Sequence, residues 1–507
     1  MEGAQPSTDA GGNPSEAGVR STSPKRRGVG ERTLASRTRA GLLWSTLGSG
    51  GAAGLGLLQV AIAARFLEHR DFGLMALVAL VIGFTDRFSD AGLNDAMLRF
   101  RSASRAQLSA LFWASLGIGL LLSAGVAAVS FAWAASSGAP ELPALLCTGG
   151  AVFALAGTGQ LSAALLRREL RYRAFAALDL ARALASLLAV CVLAPLGFGA
   201  WALVGGLLAG QALRSLLALA LAARLFLPGL EGDLRGVGEV FRFGGYQLGE
   251  RLVNFAAWNV DKLLIGSFLG TEALGVYSLA YQLVSRPFQL LAIVGSRVLR
   301  PLLAALQANH ERMLGAFLVA LRTVALVAVP LYAGAFLLAE PLVRIVYGEG
   351  WTQVAQVFRI LCPLGMLYAI GNFDGALVVA SGKARVSFFW NCFSALVHAA
   401  TVTIGLRFGL EGVAASILIA TVVVLLPGAF YLRWLLVRMP VLGYLRCLAR
   451  PLAYGLVMGV AVKGLASCLG ALPDPLEVGV IAAAGVAVYA ALLLAWERRF
   501  LLALRSS

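Results

Sequence analysis

Charge is what this chain has least of. Only 13% of its 507 residues are Asp, Glu, Lys or Arg, against about 25% in an ordinary globular domain. So few charges cannot clothe a surface that faces water on every side, and a mean hydropathy of +0.81 points to lipid as the solvent. Lysine is scarcer still: Lys25, Lys262, Lys383 and Lys463 are all there are, so the net charge of +16 is almost wholly arginine. Histidine is limited to His69, His310 and His398, too scattered for a zinc or iron site. The six cysteines have no C-x-x-C spacing, which indicates neither a metal knuckle nor a disulfide framework. No G-x-x-x-x-G-K-[ST] run occurs, which excludes ATP hydrolysis of the P-loop type. Every connection between apolar runs is short, which leaves no room for an external catalytic domain.

What the chain does have is apolar runs of about 20 residues, the length that crosses a bilayer. Fourteen helices are expected between residues 40 and 497. Arginines gather in alternate connections: Arg99, Arg101 and Arg105; Arg167, Arg168, Arg171 and Arg173; Arg433, Arg438, Arg446 and Arg450. The connections between them carry few, so the positive-inside rule puts both termini in the cytoplasm. Residues 1–39, rich in Gly, Ser, Thr, Pro and Arg, read as a disordered basic cytoplasmic tail. A repeat is visible as well. RFLEHRDFGLMAL at 65–77 aligns without gaps on SFLGTEALGVYSL at 267–279, pairing Phe66 with Phe268, Leu67 with Leu269, Gly73 with Gly275 and Leu77 with Leu279. Two parallel units of six helices follow, 40–226 and 241–436, joined by a cytoplasmic linker at 227–240. Residues 437–507 add two further transmembrane helices and a short tail.

Ionisable groups inside apolar helices are costly and by default face a protein interior or a water-filled cavity. Asp86, Arg87 and Asp90 break the second helix, Asp179 and Arg182 the fifth, and Glu250, Arg251, Asn259 and Asp261 the seventh. Arg286 stands beside Pro287 in the eighth. Two readings are open: structural pairs that glue helices together, or the lining of a polar central cavity. Gly50 and Gly54, in G-x-x-x-G spacing, are expected to pack the first helix closely against a neighbour.

The run Asn259-x-Asp261-Lys262-Leu-Leu-Ile-Gly266-x-x-Leu269-Gly270-x-x-x-Leu274-Gly275-x-Tyr277-x-x-Ala280-Tyr281, followed by Pro287, Arg297 and Pro301, resembles the polysaccharide-transporter (Wzx-type flippase) branch of the multidrug/oligosaccharidyl-lipid/polysaccharide (MOP) exporter superfamily. Gly348-Glu-Gly-Trp351 and Ser381-Gly382-Lys383 are similar to that branch too. The resemblance implies an all-α polytopic protein of the bacterial cytoplasmic membrane. Two six-helix lobes would surround a cationic cavity that opens to each face in turn. The cargo implied is an undecaprenyl-diphosphate-linked oligosaccharide for surface polymers such as lipopolysaccharide or exopolysaccharide. Arg87, Arg182, Arg251, Arg286 and Asn259 are the expected cargo contacts, because a guanidinium fork suits diphosphate. No cofactor is expected beyond a coupling ion, proton or sodium, and Asp86, Asp90, Glu250 and Asp261 are the candidate coupling carboxylates. Expected partners are the lipid-linked substrate, membrane lipids and polymer-assembly proteins, with no nucleic acid. The alternatives are a multidrug or peptidoglycan-precursor exporter of the same superfamily, or a membrane polymerase or ligase.

Overall fold

The computed structural model describes residues 27–89, 104–134, 140–169, 171–229, 237–294, 299–307, 309–371, 377, 384–469 and 473–497. Among the described residues there are helices and turns and no strand, as expected where lipid cannot satisfy a backbone and only intrahelical bonds can. The first half comprises α1 (Arg27–Ala63), α2 (His69–Ser89), α3 (Arg105–Ala134), α4 (Leu142–Arg168), α5 (Tyr172–Leu193) and α6 (Ala200–Ala222). The second half begins with α7 (Val237–Phe268), α8 (Gly270–Val294), the short α9 (Arg300–Ala305) and α10 (His310–Leu337). It continues with the short amphipathic α11 (Ala339–Tyr347), α12 (Thr352–Gly371) and α13 (Ala384–Gly405). A π-helical turn, Thr421–Leu425, then joins α14 (Gly409–Ala420) to α15 (Leu426–Val437). The chain closes with α16 (Val441–Leu469) and α17 (Asp474–Trp496).

Eleven helical stretches among the described residues are long and apolar enough to span a membrane. One of them, 388–437, is 50 residues long and takes in most of α13 together with α14 and α15. α7 and α8 miss the apolar threshold because they carry the polar residues of the site, although at 32 and 25 residues both are long enough to cross. α1 starts at Arg27, so residues 27–39 of the expected tail are helical; Glu, Leu, Ala and Arg in that stretch are good helix formers.

The close packing of α1 differs from the expectation. Gly50 and Gly54 have nothing near them, and it is Gly48 and Gly51 that lie against Ala176 and Leu180 of α5. The four-residue spacing is present, but the face it marks is turned away from the neighbouring helix.

The two halves meet along α2, α7 and α8. α2 packs more extensively on α8 than on any helix of its own half. Leu74, Leu77 and Val78 of α2 join Ile265 of α7 and Leu274 and Ala280 of α8 in one continuous buried core. Gly270, at φ +88°, separates α7 from α8, a left-handed turn that only glycine adopts without strain. At the same end, Asp71 accepts from the Ala200 N–H (2.9 Å) at the start of α6 and from the Glu68 N–H (3.0 Å), which fixes where α2 begins.

At the far end of the chain Glu497 is 1% exposed. It receives hydrogen bonds from Arg322 of α10 and Tyr454 of α16, and so ties the two last helices to the second half.

Candidate functional site

A cavity of about 520 Å³ lies at the seam between the halves. α8 supplies one wall. Ser278, Gln282, Ser285 and Gln289 recur every three or four residues, which places them on a single helical face. Arg286 lies beside that face. α7 supplies Phe255, Asn259 and Lys262, α1 supplies Gln59, and α5 supplies Ser186. The charged lining consists of Lys262 and Arg286, with no carboxylate among the described lining residues.

Lys262 is placed with care. Its Nζ donates to Asn259 Oδ1 (2.8 Å) and lies 4.9 Å from the centre of the Tyr281 ring. Asn259 in turn donates from Nδ2 to the Phe255 carbonyl (2.9 Å). Lys262 therefore presents its charge at the cavity wall instead of snorkelling to an interface. Among the described residues neither Lys262 nor Arg286 has a carboxylate partner. Two cations with no carboxylate partner among the described residues, set in a polar recess, create a positive potential that attracts an anion.

The expected site residues divide into four sets. Asn259 and Arg286 line the cavity. Arg87 and Arg182 lie just beyond it: the Arg87 guanidinium is 5.2 Å from the ring of the lining residue Phe255, and Arg182 is one helical turn from the lining residue Ser186. Asp86 and Asp179 both act on the charge of Arg182, and Asp179 also pairs with Arg214 of α6 at 3.6 Å.

Asp261 stands apart. It is 2% exposed and faces the second half, where its Oδ2 accepts from the Tyr277 hydroxyl at 2.7 Å. Tyr281, Tyr368 and His398 lie within reach of its charge. Asp90 falls outside the described residues, and Glu250 and Arg251 lie on α7 with side chains outside the description.

Sequence reasoning passed over Lys262 as a cavity residue, along with Gln59, Ser278, Gln282 and Gln289. The polar periodicity of α8 was the available signal, since polar residues three or four apart share one face of a helix.

One end of the cavity is shut by contacts between the halves. Trp351 Nε1 donates to the Ala64 carbonyl (3.1 Å) at the end of α1, and Arg65 Nη2 donates to the Ile345 carbonyl (2.8 Å) in the last turn of α11. Each half thus satisfies a helix-terminal carbonyl of the other, groups that have no intrahelical partner. The Trp351 ring also lies 4.1 Å from His69 and 5.4 Å from Phe72.

Residues 62–356 match the family model described as polysaccharide biosynthesis protein. The chain is 27% identical over 392 residues to the lipopolysaccharide biosynthesis protein WzxC of Escherichia coli (strain K12), covering 77% of this chain and 80% of that protein. It is 28% identical over 466 residues to the succinoglycan biosynthesis transport protein ExoT of Rhizobium meliloti (strain 1021), covering 90% and 93%. Among solved structures the fold matches the lipid II flippase MurJ in an inward closed conformation, with a TM-score of 0.73, 15% identity, and coverage of 90% of this chain and 100% of that one. Of these, ExoT is a transport protein and MurJ a flippase. With helices throughout its described residues, a cationic cavity at the seam of two halves and a model match over more than half its length, the chain belongs to the polysaccharide biosynthesis protein family.

Proposed function

We propose that this protein moves an undecaprenyl-diphosphate-linked oligosaccharide repeat unit across the cytoplasmic membrane for surface polysaccharide biosynthesis. The observation that carries the reading is the cavity: two cations, amide and hydroxyl groups, and no carboxylate among its described lining residues. A diphosphate matches the cations, and sugar hydroxyls match the rest. An exporter of cationic drugs would want the opposite, carboxylates without matching cations.

In this reading Lys262 and Arg286 hold the diphosphate, and Arg87 and Arg182 meet it on the way in. The arginine-rich connections put both termini in the cytoplasm, so the latched end with Trp351 faces outward and the cavity serves the cytoplasmic side. Transport then requires the halves to rock, breaking the outer contacts and closing the inner side. Among the candidate carboxylates Asp261 suits coupling to a proton or sodium gradient best. It is buried on a helix that walls the cavity, and its partners are the Tyr277 hydroxyl and the Lys262 N–H.

The test is deletion of the gene in its host, with analysis of surface polymer and of the lipid-linked pool. The expected result is loss of one polymer and build-up of its undecaprenyl-linked unit on the cytoplasmic side. Complementation should fail with Lys262→Ala, Arg286→Ala, Arg87→Ala or Asp261→Asn, each present in the membrane at normal abundance. A linked unit that crosses but stays unpolymerised would instead point to a polymerase or ligase. Intact polysaccharide with raised drug sensitivity would point to a drug exporter.

A further inference from the structure

A histidine lies in the latch that closes one end of the cavity. His69 opens α2, is half-buried, and stands 4.1 Å from the Trp351 ring, their planes 43° apart. Trp351 is buried in the turn between α11 and α12. The two rings belong to different halves, so their contact forms when the latch closes and is lost when it opens. The internal repeat sets this residue apart as well. His69 aligns with Thr271, so an imidazole is present only in the copy of the motif that meets Trp351. Imidazole changes charge between about pH 5 and pH 8. A neutral His69 packs on the indole, and a protonated one adds the attraction of a cation for the negative face of the ring.

The charges around His69 divide between the halves. Its own half holds the exposed Glu68, and Arg65, which donates to the Ile345 carbonyl. Arg70 there pairs with Glu141 (3.5 Å), and Asp71 accepts from the Ala200 and Glu68 N–H groups. The N-terminus of α2, where His69 stands, disfavours a cation. All of these travel with His69, so they largely cancel from the balance between closed and open states. The second half brings Trp351, backed by Tyr347 with ring centres 6.1 Å apart. It also brings two exposed carboxylates: Glu349, two residues before Trp351, and Glu272, which follows the Thr271 carbonyl that abuts Gly73 of α2. The cations of that half at this end are paired, Arg344 with Asp474 (3.3 Å) and Arg359 with Glu340 (3.8 Å). Closing the latch therefore sets an aromatic face and net negative charge against His69, and both favour the charged ring.

We propose that His69 is a pH switch on the latch: its protonation holds the two halves together at this end, and loss of the proton loosens them. The switch needs neither the cargo nor a coupling carboxylate. Its physiological sense rests on the orientation given above. With the latched end facing outward, acid outside the cell holds the protein open to the cytoplasm, the side from which cargo is loaded.

The test reads the latch in the full-length protein in lipid nanodiscs, where buffer reaches both faces and orientation does not enter. One spin label is placed on each half beside the latch, and the distance distribution is followed from about pH 8 to about pH 5, the range over which imidazole titrates. In the wild type the ratio of latched to open molecules should rise about fivefold as the pH falls, the scale of one partly desolvated cation–π contact. His69→Phe keeps a ring against Trp351 but takes no proton, and its ratio should stay level across the range. His69→Gln, with neither ring nor charge, should be equally insensitive to pH. Trp351→Leu keeps the imidazole and removes the face, and should lose most of the shift. A wild-type ratio that stays level, or that rises with pH, overturns the proposal. So does a full-sized shift in both His69 variants, which would assign the titration to Glu68, Glu272 or Glu349. The orientation is checked separately in proteoliposomes of one sidedness: a latch that answers to pH on the cytoplasmic side would overturn the orientation and leave the switch in place.

Discussion

Gly73 and Gly275, equivalent positions of the internal repeat, meet each other where α2 crosses α8. A Cβ added at Gly275 would fall 3.0 Å from the Gly73 backbone nitrogen and closer still to the His69 carbonyl oxygen. A Cβ added at Gly73 would collide with the Thr271 carbonyl. Two copies of one motif thus meet at the crossing of the halves, backbone against backbone. Close approach of this kind needs glycine on both sides.

Substitution at that crossing should be costly, because the colliding atoms are backbone and cannot turn aside. Gly73→Ala and Gly275→Ala are each expected to destabilise the protein by at least about 1–3 kcal/mol. Gly50→Ala, in open space, should be neutral or stabilising by about 0.5–1 kcal/mol. Thermal unfolding in detergent measures all three, and equal melting temperatures for Gly73→Ala and Gly50→Ala would remove the crossing from the account.

The outer latch makes a prediction about populations. Trp351→Phe keeps an aromatic ring against His69 and Phe72 but loses the N–H that reaches the Ala64 carbonyl. One such hydrogen bond contributes about 1 kcal/mol, or roughly fivefold in the balance between latched and open states. Arg65→Ala should act in the same direction. Spin labels on either side of the latch, read as a distance distribution in proteoliposomes, should show the longer distance gaining weight.

Tyr332 ties α10 to α8 beside Pro287. Its hydroxyl donates to the Val284 carbonyl (2.8 Å), two residues before the cavity cation Arg286 and three before Pro287. Tyr332→Phe removes that hydrogen bond, a loss of about 1 kcal/mol. A drop in unfolding temperature together with weaker binding of undecaprenyl diphosphate is expected. A drop in stability alone would show that the contact does not help to place Arg286.

Glu497 holds α16 and α17 to the rest of the molecule. Its carboxylate is buried and pairs with Arg322, so Glu497→Ala removes the acceptor that Arg322 and Tyr454 share. Breaking a buried pair by removing one partner costs about 3–5 kcal/mol. Limited proteolysis should then cut at the connection before α16 more readily than in the wild type. Arg322→Met with Glu497→Leu, which removes both charges, should restore much of that protection.

The sequence by itself determined that the chain is helical, that it crosses a membrane many times, and that it is built from two related halves. Hydropathy, arginine spacing and the paired motifs at 65–77 and 267–279 carry those conclusions, because each depends on local physics: the length of an apolar run, the side on which charge stays, the recurrence of a turn. The tertiary structure decided which polar groups share a space. Asp261 and Lys262 are adjacent in the chain, yet one points into the second half toward Tyr277 and the other into the cavity beside Asn259 and Tyr281. Successive residues on a helix point about 100° apart, so the packing around α7 settles which becomes lining and which becomes interior. Gly73 and Gly275 show the same division. Their equivalence is legible in the sequence, but their contact follows from how α2 and α8 cross.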